Sequence, residues 1–179
     1  GIELQPPPGK PTAGEATPTH HKVYSLEDLE EVKEKMNPGE ETFCLNLYEK
    51  LLKGGKDFSV DMGKVHKLAD FLKAANNKGV AVTDLRLSNN RLGVDGVKVL
   101  APHLPKGLTS LNLENNELGD DGVKVLAPLL PNGLTNFSLS CNDLGVEGAK
   151  VLVPLLPKGL KNLDLNNNNI SASDWEFLL

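Results

Sequence analysis

Apolar and polar positions in the second half of the chain follow a pattern that recurs every 26 residues. The segments "LRLSNNRLGVDGVKVLAPHLPKGLTS", "LNLENNELGDDGVKVLAPLLPNGLTN" and "FSLSCNDLGVEGAKVLVPLLPKGLKN" begin at Leu85, Leu111 and Phe137. A shorter copy, "LDLNNNNISASDWEFLL", begins at Leu163. A fixed period of about 20–50 residues is typical of a solenoid, in which each repeat packs on its neighbours. The pattern therefore predicts three full repeats and a partial fourth.

Each repeat changes its hydrophobic period partway along. The "LxL" stretch alternates like a half-buried strand, and the next apolar positions have helical spacing: Val97, Leu100, Ala101 and Leu104. Asp95 is a carboxylate of the kind favoured at a helix N-terminus, so the helix should begin near residue 95. Pro102 has no amide hydrogen and should end it near Ala101, and Pro128 and Pro154 repeat this stop. One strand and one short helix are predicted per repeat.

Neither element can bury its apolar side alone, but stacked copies place Leu85, Leu111, Phe137 and Leu163 in one core. The shared pattern "LxLxxNxLGxxGxxxLA" resembles the leucine-rich repeat signature and is most similar to the ribonuclease-inhibitor-like subtype. That resemblance implies an α/β fold, a right-handed solenoid with a parallel concave sheet and short convex helices. It also implies a non-catalytic interaction module that binds a protein or peptide on the concave face.

The N-terminal third departs from the regular repeats. Residues 1–22, rich in Pro, Gly and Thr, predict a flexible tail. Residues 23–42 predict a helical cap, with Ser25 as its N-cap and an apolar stripe formed by Leu26, Leu29, Val32 and Met36. Residues 43–84 align as a degenerate first repeat, in which Lys50 occupies the asparagine position. The segment "DMGKVHKLADFLKAA" predicts a longer helix within it.

Two interpretations are open for "TFCLNLYEKLL" at residues 42–52. As a strand, it aligns Leu45 and Leu47 with Leu85 and Leu87 of the first regular repeat. As a helix, it places Phe43, Leu47 and Leu51 four residues apart, with the glycines at 54–55 ending it. The strand is slightly favoured.

Strand positions that alternate with the buried leucines should form three rows on the concave face. The predicted partner-binding residues are Tyr48, Asp84, Arg86, Ser88, Ser110, Asn112, Glu114, Asn136, Ser138 and Asp164. Interface hot spots favour Trp, Tyr and Arg, so Tyr48 and Arg86 centre the expected site on the N-terminal strands. The alternative is a structural or regulatory scaffold, or a secreted effector fragment whose activity lies outside this chain.

A second set of polar residues predicts scaffolding rather than binding. Asparagines recur at the turn that leaves each strand: Asn90, Asn116, Asn142 and Asn168. A side-chain amide both donates and accepts, so a stack of them can satisfy backbone groups between repeats. Asn90 is preceded by a second asparagine, Asn89, which is replaced by Cys141 in the third copy. Asn89 is therefore the less constrained of the two.

Composition and charge narrow the classes of partner. The 179 residues are 39% hydrophobic and 24% charged, which suits one soluble domain. A formal net charge of −5 offers no basic field, so neither nucleic acid nor a membrane is an expected partner. The longest apolar run, "VLVPLL", is too short to cross a bilayer and contains Pro154.

The candidate chemistry is sparse. Four histidines show no zinc-ligand spacing, and no nucleophile, base and oxyanion set can be assembled, so neither cofactor nor catalysis is expected. If residues 42–52 form a strand, Cys44 and Cys141 lie roughly 14 Å apart, beyond disulfide reach. Both are therefore expected to be free thiols, which favours the cytoplasm, or a host cytosol after export.

Overall fold

Strands and helices alternate along the chain. The computed structural model describes residues 19–39 and 41–178. In chain order the strands are β1 Thr19–Val23, β2 Glu41–Asn46, β3 Leu52–Gly54, β4 Asp57–Val60, β5 Ala81–Arg86, β6 Ser110–Asn112, β7 Asn136–Ser138 and β8 Asn162–Asp164. The helices are α1 Glu27–Lys35, α2 Met62–Lys78, α3 Gly93–Leu100, α4 Gly119–Leu126, α5 Val146–Leu155 and α6 Ala172–Leu178.

One parallel sheet organises the repeats, with the strand order β1-β2-β5-β6-β7-β8. Its register aligns equivalent leucines: Leu45 pairs with Leu85, Leu85 with Leu111, Leu111 with Phe137 and Phe137 with Leu163. All but Leu163 are buried in a single hydrophobic core. The predicted α/β repeat architecture is confirmed. A slip of one residue in any strand would expose its core side chains, so the 26-residue period maintains the register.

The N-terminal edge of the sheet corrects the boundary predicted at residue 22. Thr19–Val23 forms a parallel strand beside β2, in which Val23 pairs with Leu45 and is buried. The His21 ring stacks on Phe43 with centroids 5.1 Å apart. A five-residue strand shows too few alternations to be recognised from the sequence. The remainder of the predicted tail, residues 1–18, lies outside the described residues.

Residues 41–46 form a strand, so the strand interpretation is confirmed and the helical one is wrong. Parallel pairing with β1 on one side and β5 on the other satisfies the backbone of β2. The glycines at 54 and 55 do not end a helix. They have φ values of +87° and +64° and allow the chain to turn between β3 and β4, an antiparallel hairpin that the sequence analysis did not predict.

Two helices of the N-terminal third follow their predicted patterns. Before α1, the Ser25 hydroxyl accepts a hydrogen bond from the Asp28 amide at 3.3 Å and donates one to its carboxylate at 2.6 Å. Because β1 precedes α1, the first unit is a strand and a helix rather than a helix alone. The longer helix α2 begins after Asp61, whose carboxylate accepts from the amides of Gly63 and Lys64, and ends at Gly79 with φ +69°.

The short helices begin earlier than predicted, and one of them ends later. Helix α3 starts at Gly93 rather than near residue 95. Both α3 and α4 stop before their proline and continue as a 3-10 turn. Helix α5 instead runs through Pro154 to Leu155, so the predicted stop there is wrong. Pro154 lies in the final turn, where its missing amide hydrogen leaves only the carbonyl of Lys150 without its helical donor.

A membrane-spanning helix is not among the elements described for residues 19–39 and 41–178.

Replacing Leu85 with Ala should destabilise the array by about 2–5 kcal/mol, because this fully buried side chain packs between β2 and β6. Leu155→Ala serves as the matched control, since Leu155 is 45% exposed. We expect it to change the free energy of unfolding by less than about 0.5 kcal/mol. Urea unfolding followed by circular dichroism measures both. Equal effects would contradict the continuous core.

Candidate functional site

The strand side chains that alternate with the core leucines form the polar face of the sheet. Its first row is Lys22, Cys44, Asp84, Ser110, Asn136 and Asn162, and its second is Asn46, Arg86, Asn112, Ser138 and Asp164. Backbone hydrogen bonds continue the ladder beyond the strands and align a third row: Tyr48, Ser88, Glu114, Ser140 and Asn166. The ten residues predicted from the sequence therefore share one face.

Arg86 is held in place by a neighbour on its own strand. Its Nη2 donates to Asp84 Oδ2 at 2.9 Å, and its Nε donates to the same oxygen at 3.2 Å. This hydrogen bonding and the charge of Asp84 raise the pKa of Arg86 above its usual value. An exposed ion pair contributes little stability, but a fork-shaped contact fixes the direction of the guanidinium.

Cys44 lies beside this pair in the first row. Partial burial raises the pKa of its thiol, and the charge and hydrogen bonding of Asp84 raise it further. Reactive cysteines need the opposite environment, which stabilises the thiolate. The thiol of Cys44 is consequently protonated near neutral pH. Cys44 and Cys141 are both free, as predicted.

Two half-exposed tyrosines lie at the N-terminal end of the polar face. Tyr48 is 49% exposed, and its hydroxyl accepts a hydrogen bond from Asn89 Nδ2 at 2.7 Å. Tyr24 directly follows β1, in line with Asn46 and Arg86 of the second row, and is 55% exposed. Sequence reasoning missed Tyr24 because residues up to 22 were assigned to the tail and Tyr24 itself to the helical cap. The apolar Val23, which pairs with Leu45 and is buried, is the sequence signal that could have placed Tyr24 on the polar face.

A depression of about 530 Å³ lies on the polar face across β5 to β8. Six of the predicted residues line it: Arg86, Ser110, Asn112, Asn136, Ser138 and Asp164. Lys161, which the sequence analysis did not select, lines it as well. Tyr48, Asp84, Ser88 and Glu114 lie outside its lining. Ser88 is almost buried and donates to Asn112 Oδ1 at 3.0 Å, so its hydroxyl is engaged within the protein.

The recurring asparagines connect each turn to the preceding repeat. Asn116 is fully buried; its Oδ1 accepts from the amides of Asn90 and Leu92, and its Nδ2 donates to the carbonyls of Leu87, Leu113 and Glu114. Equivalent bonds surround Asn90, Asn142 and Asn168. These amides thus satisfy backbone groups that the core would otherwise leave unpaired.

The bonds between repeats run in one direction, from each asparagine toward the repeat before it. Asn90 bonds the Leu47 carbonyl and the Leu51 amide, which belong to the first repeat. The unit before the first repeat passes from Val23 to α1 without an equivalent turn. Lys50 can therefore occupy the asparagine position, because no preceding turn has to be satisfied from there.

Residues next to the asparagine position adopt left-handed backbone conformations. Those with φ between +49° and +59° are Glu49, Asn89, Arg91, Asn115, Glu117, Cys141, Asp143 and Asn167. We call this row of turns the rim of the array. Asparagine tolerates such angles better than most side chains, which accounts for Asn89 in structural terms. Asn89 also accepts from Asn115 Nδ2 at 2.9 Å.

Within the described residues, no cluster of three or more His, Cys, Asp or Glu side chains could hold a metal ion. His20 and His21 lie on β1 and His66 lies on α2, while His103 ends the 3-10 turn after α3.

Comparison with known protein families identifies the repeats. One leucine-rich repeat model matches residues 82–101, 108–127 and 134–153, and a second matches residues 159–178. The chain therefore contains leucine-rich repeats across its C-terminal half. A similar solved structure is the leucine-rich repeat-containing protein LegL7 from Legionella pneumophila, with 18% identity and a TM-score of 0.48. The alignment covers 83% of this chain and 55% of that one. No curated protein sequence matches the chain.

Asn116→Ala should destabilise the protein by at least about 3 kcal/mol, because several buried donors and acceptors lose their partner at once. Asn77→Ala is the matched control; Asn77 is exposed on α2, and we expect a change below about 0.5 kcal/mol. Chemical unfolding monitored by circular dichroism compares the two. A small loss of stability in Asn116→Ala would contradict this account, because it would show that water can replace the amide's hydrogen bonds at little cost in free energy.

Asp84→Asn should accelerate alkylation of Cys44 by iodoacetamide near pH 8 by at least about twofold. Removing the negative charge lowers the thiol pKa and increases the thiolate fraction. Arg86→Ala should slow the reaction, since the Arg86 charge lowers that pKa. Mass spectrometry in a Cys141→Ser background follows Cys44 alone. An alkylation rate that neither substitution changes would contradict this electrostatic account.

Proposed function

We propose that this array of leucine-rich repeats is a non-catalytic protein-interaction module that binds a protein or peptide partner on its polar face. Leucine-rich repeat domains commonly mediate protein–protein interaction. Support for this particular surface comes from its composition and geometry. In the repeats, helices cover the other side of the sheet and bury the leucines, whereas the second-row side chains Arg86, Asn112 and Asp164 remain at least partly accessible.

The observation that carries the proposal is the group formed by Tyr24, Tyr48 and Arg86 at the N-terminal end of this face. Tyrosine and arginine are enriched among the residues that dominate binding energy. Both tyrosines are about half exposed, and tyrosine offers a large contact area with few rotatable bonds. Arg86 is already oriented by Asp84, so less side-chain entropy is lost when a partner binds.

The rest of the predicted surface suits specificity more than affinity. Ser110, Asn112, Asn136 and Ser138 carry small polar groups around the 530 Å³ depression. Glu114 and Asp164 add negative charge in the neighbouring rows. With a net charge of −5 on the chain, this surface favours a protein over a nucleic acid or an anionic membrane.

Two finer inferences accompany the proposal. The α-helix of 8–10 residues that follows the strand in each of the three full repeats supports the ribonuclease-inhibitor-like subtype, whose usual period is about two residues longer than the one found here. The absence of catalysis is supported by the surroundings of Cys44, where partial burial and the charge of Asp84 raise the pKa of the thiol, the opposite of what activates a nucleophilic cysteine.

An affinity pull-down with the wild-type chain, followed by mass spectrometry, tests the function. A Tyr48→Ala and Arg86→Ala double variant should bind the captured partner at least about tenfold more weakly, because it removes two anchors from the polar face. Lys98→Ala is the matched control. It removes an exposed cation from α3 and should leave binding unchanged.

Partners that bind the double variant as tightly as the wild type would contradict a site at the N-terminal end of the polar face. That result would favour a structural or regulatory scaffold instead. Tyr24→Ala, measured against the same partner, then tests whether the residue added by β1 belongs to the site.

A further inference from the structure

The turn that joins the second regular repeat to the third carries a dipeptide found nowhere else in the chain. The sequence contains 17 asparagines, and Asn132 is the only one followed by glycine, in "LPNGL". The other two full repeats have Lys106 and Lys158 at this position. A side-chain amide is most open to attack by the next backbone nitrogen when that nitrogen belongs to glycine, because no Cβ obstructs the approach.

This turn is exposed, while the chain on either side of it is anchored in the core. Asn132 and Gly133 are both exposed, whereas Leu130 and Leu134 are buried. A backbone hydrogen bond of 3.2 Å from the Leu134 amide to the Pro131 carbonyl closes the turn. Solvent-exposed turns open locally at a small fraction of the free energy of global unfolding. Opening this turn gives the Asn132 backbone the freedom that cyclisation requires.

The other classes of asparagine are protected by their surroundings or by the residue that follows. Asn116 is fully buried, donates through Nδ2 to three carbonyl oxygens, and precedes Glu117. Asn115 is exposed on the rim, but its Nδ2 donates to Asn89 at 2.9 Å and the following residue is not glycine. Exposure and an adjacent glycine therefore coincide at Asn132.

We propose that Asn132 deamidates spontaneously, which makes the Asn132–Gly133 turn a self-modification site. The Gly133 nitrogen attacks Cγ of Asn132, and a new C–N bond forms as the bond to the side-chain nitrogen breaks. Ammonia leaves with the proton that the Gly133 nitrogen gives up. One water molecule then opens the resulting succinimide ring at either carbonyl and produces aspartate or isoaspartate at position 132. The reaction consumes only water and needs no oxidant or cofactor.

The two products differ in their effect on the array. Both carry a carboxylate in a row of turns whose neighbouring members hold Lys106 and Lys158, and backbone hydrogen bonds three residues later keep these turns aligned. An exposed carboxylate beside exposed cations changes stability little. Isoaspartate also lengthens the backbone by one carbon between the buried Leu130 and Leu134. The isoaspartyl product therefore loosens the turn that leads into β7, and the aspartyl product does not.

Incubation of the full chain near pH 8, followed by peptide mapping with mass spectrometry, tests the modification. The peptide that contains Asn132 should gain about 1 Da, at least about tenfold faster than any other asparagine-containing peptide. Gly133→Ala is the matched control. The φ of Gly133 is not positive, and a Cβ there would lie 3.8 Å from the Leu108 carbonyl oxygen, so the variant keeps the turn. It should slow the reaction at least about tenfold, because the methyl group obstructs the attacking nitrogen.

Asn132→Asp separates the added charge from the altered backbone, since it carries the carboxylate on an ordinary main chain. Wild-type protein after incubation, with its isoaspartate content measured by enzymatic methylation, should melt at least about 2 °C below Asn132→Asp. Freshly purified wild type should melt like Asn132→Asp. No mass gain at position 132, or an equal gain in Gly133→Ala, would overturn the modification site. An isoaspartate-containing sample that melts like Asn132→Asp would overturn the loosening of the turn.

Discussion

One side-chain amide per regular repeat connects each turn to the repeat before it, and the rest of the array depends on this connection. A buried leucine contributes roughly 1.5–3 kcal/mol wherever it finds an apolar environment, so burial excludes a slip of one residue in a strand but does not by itself exclude a slip of two. The amide of Asn116 is different, because three of its five hydrogen bonds reach Leu87, Asn90 and Leu92 of the preceding repeat and form only when both turns are in place. Hydrophobic burial supplies most of the stability. The asparagines determine which stacking of the repeats is the stable one, because their hydrogen bonds fit only that arrangement.

A constant register has a direct effect on the other side of the sheet. Every core leucine that aligns with its counterpart also aligns the residues on either side of it, so the polar rows are as regular as the core. The N-terminal repeats break this uniformity. Large and charged groups gather there, on β1, β2, β5 and the hairpin, whereas the later strands present mainly serine and asparagine. The surface thus has a chemically distinct end, and Tyr48 lies where the polar face meets the hairpin.

The sequence predicted the elements that recur in every repeat and missed those that occur once, namely strand β1 and the β3–β4 hairpin. Leu85, Leu111 and Phe137 are spaced 26 residues apart in the sequence, and their predicted alignment in one core is confirmed. Strand β1 went unrecognised because it contributes only Val23 to the fully buried core, too little for a periodic signal. The hairpin was missed because its two glycines were equally compatible with the end of a helix.

Pro154 shows a further limit of prediction from sequence. The free-energy cost of a proline in a helix depends on how far it lies from the helix end, and the sequence alone does not show where the helix ends. The ten predicted residues could be placed on one face, but the position of Tyr24 beside them depends on tertiary structure.

The left-handed turns of the rim restrict how this surface can change during evolution. Residues branched at the β carbon (Val, Ile and Thr) are strongly disfavoured at positive φ, and none of the eight rim positions carries one. The rim therefore disfavours such branched residues; Asn, Asp and Gly are the easiest to accommodate there, and Glu, Arg and Cys also occur. The strand positions of the polar face carry no such restriction, because extended backbone accepts nearly any side chain. New specificities should therefore arise more readily by mutation within the sheet rows, while the exclusion of branched residues from the rim preserves the geometry on which those rows are displayed.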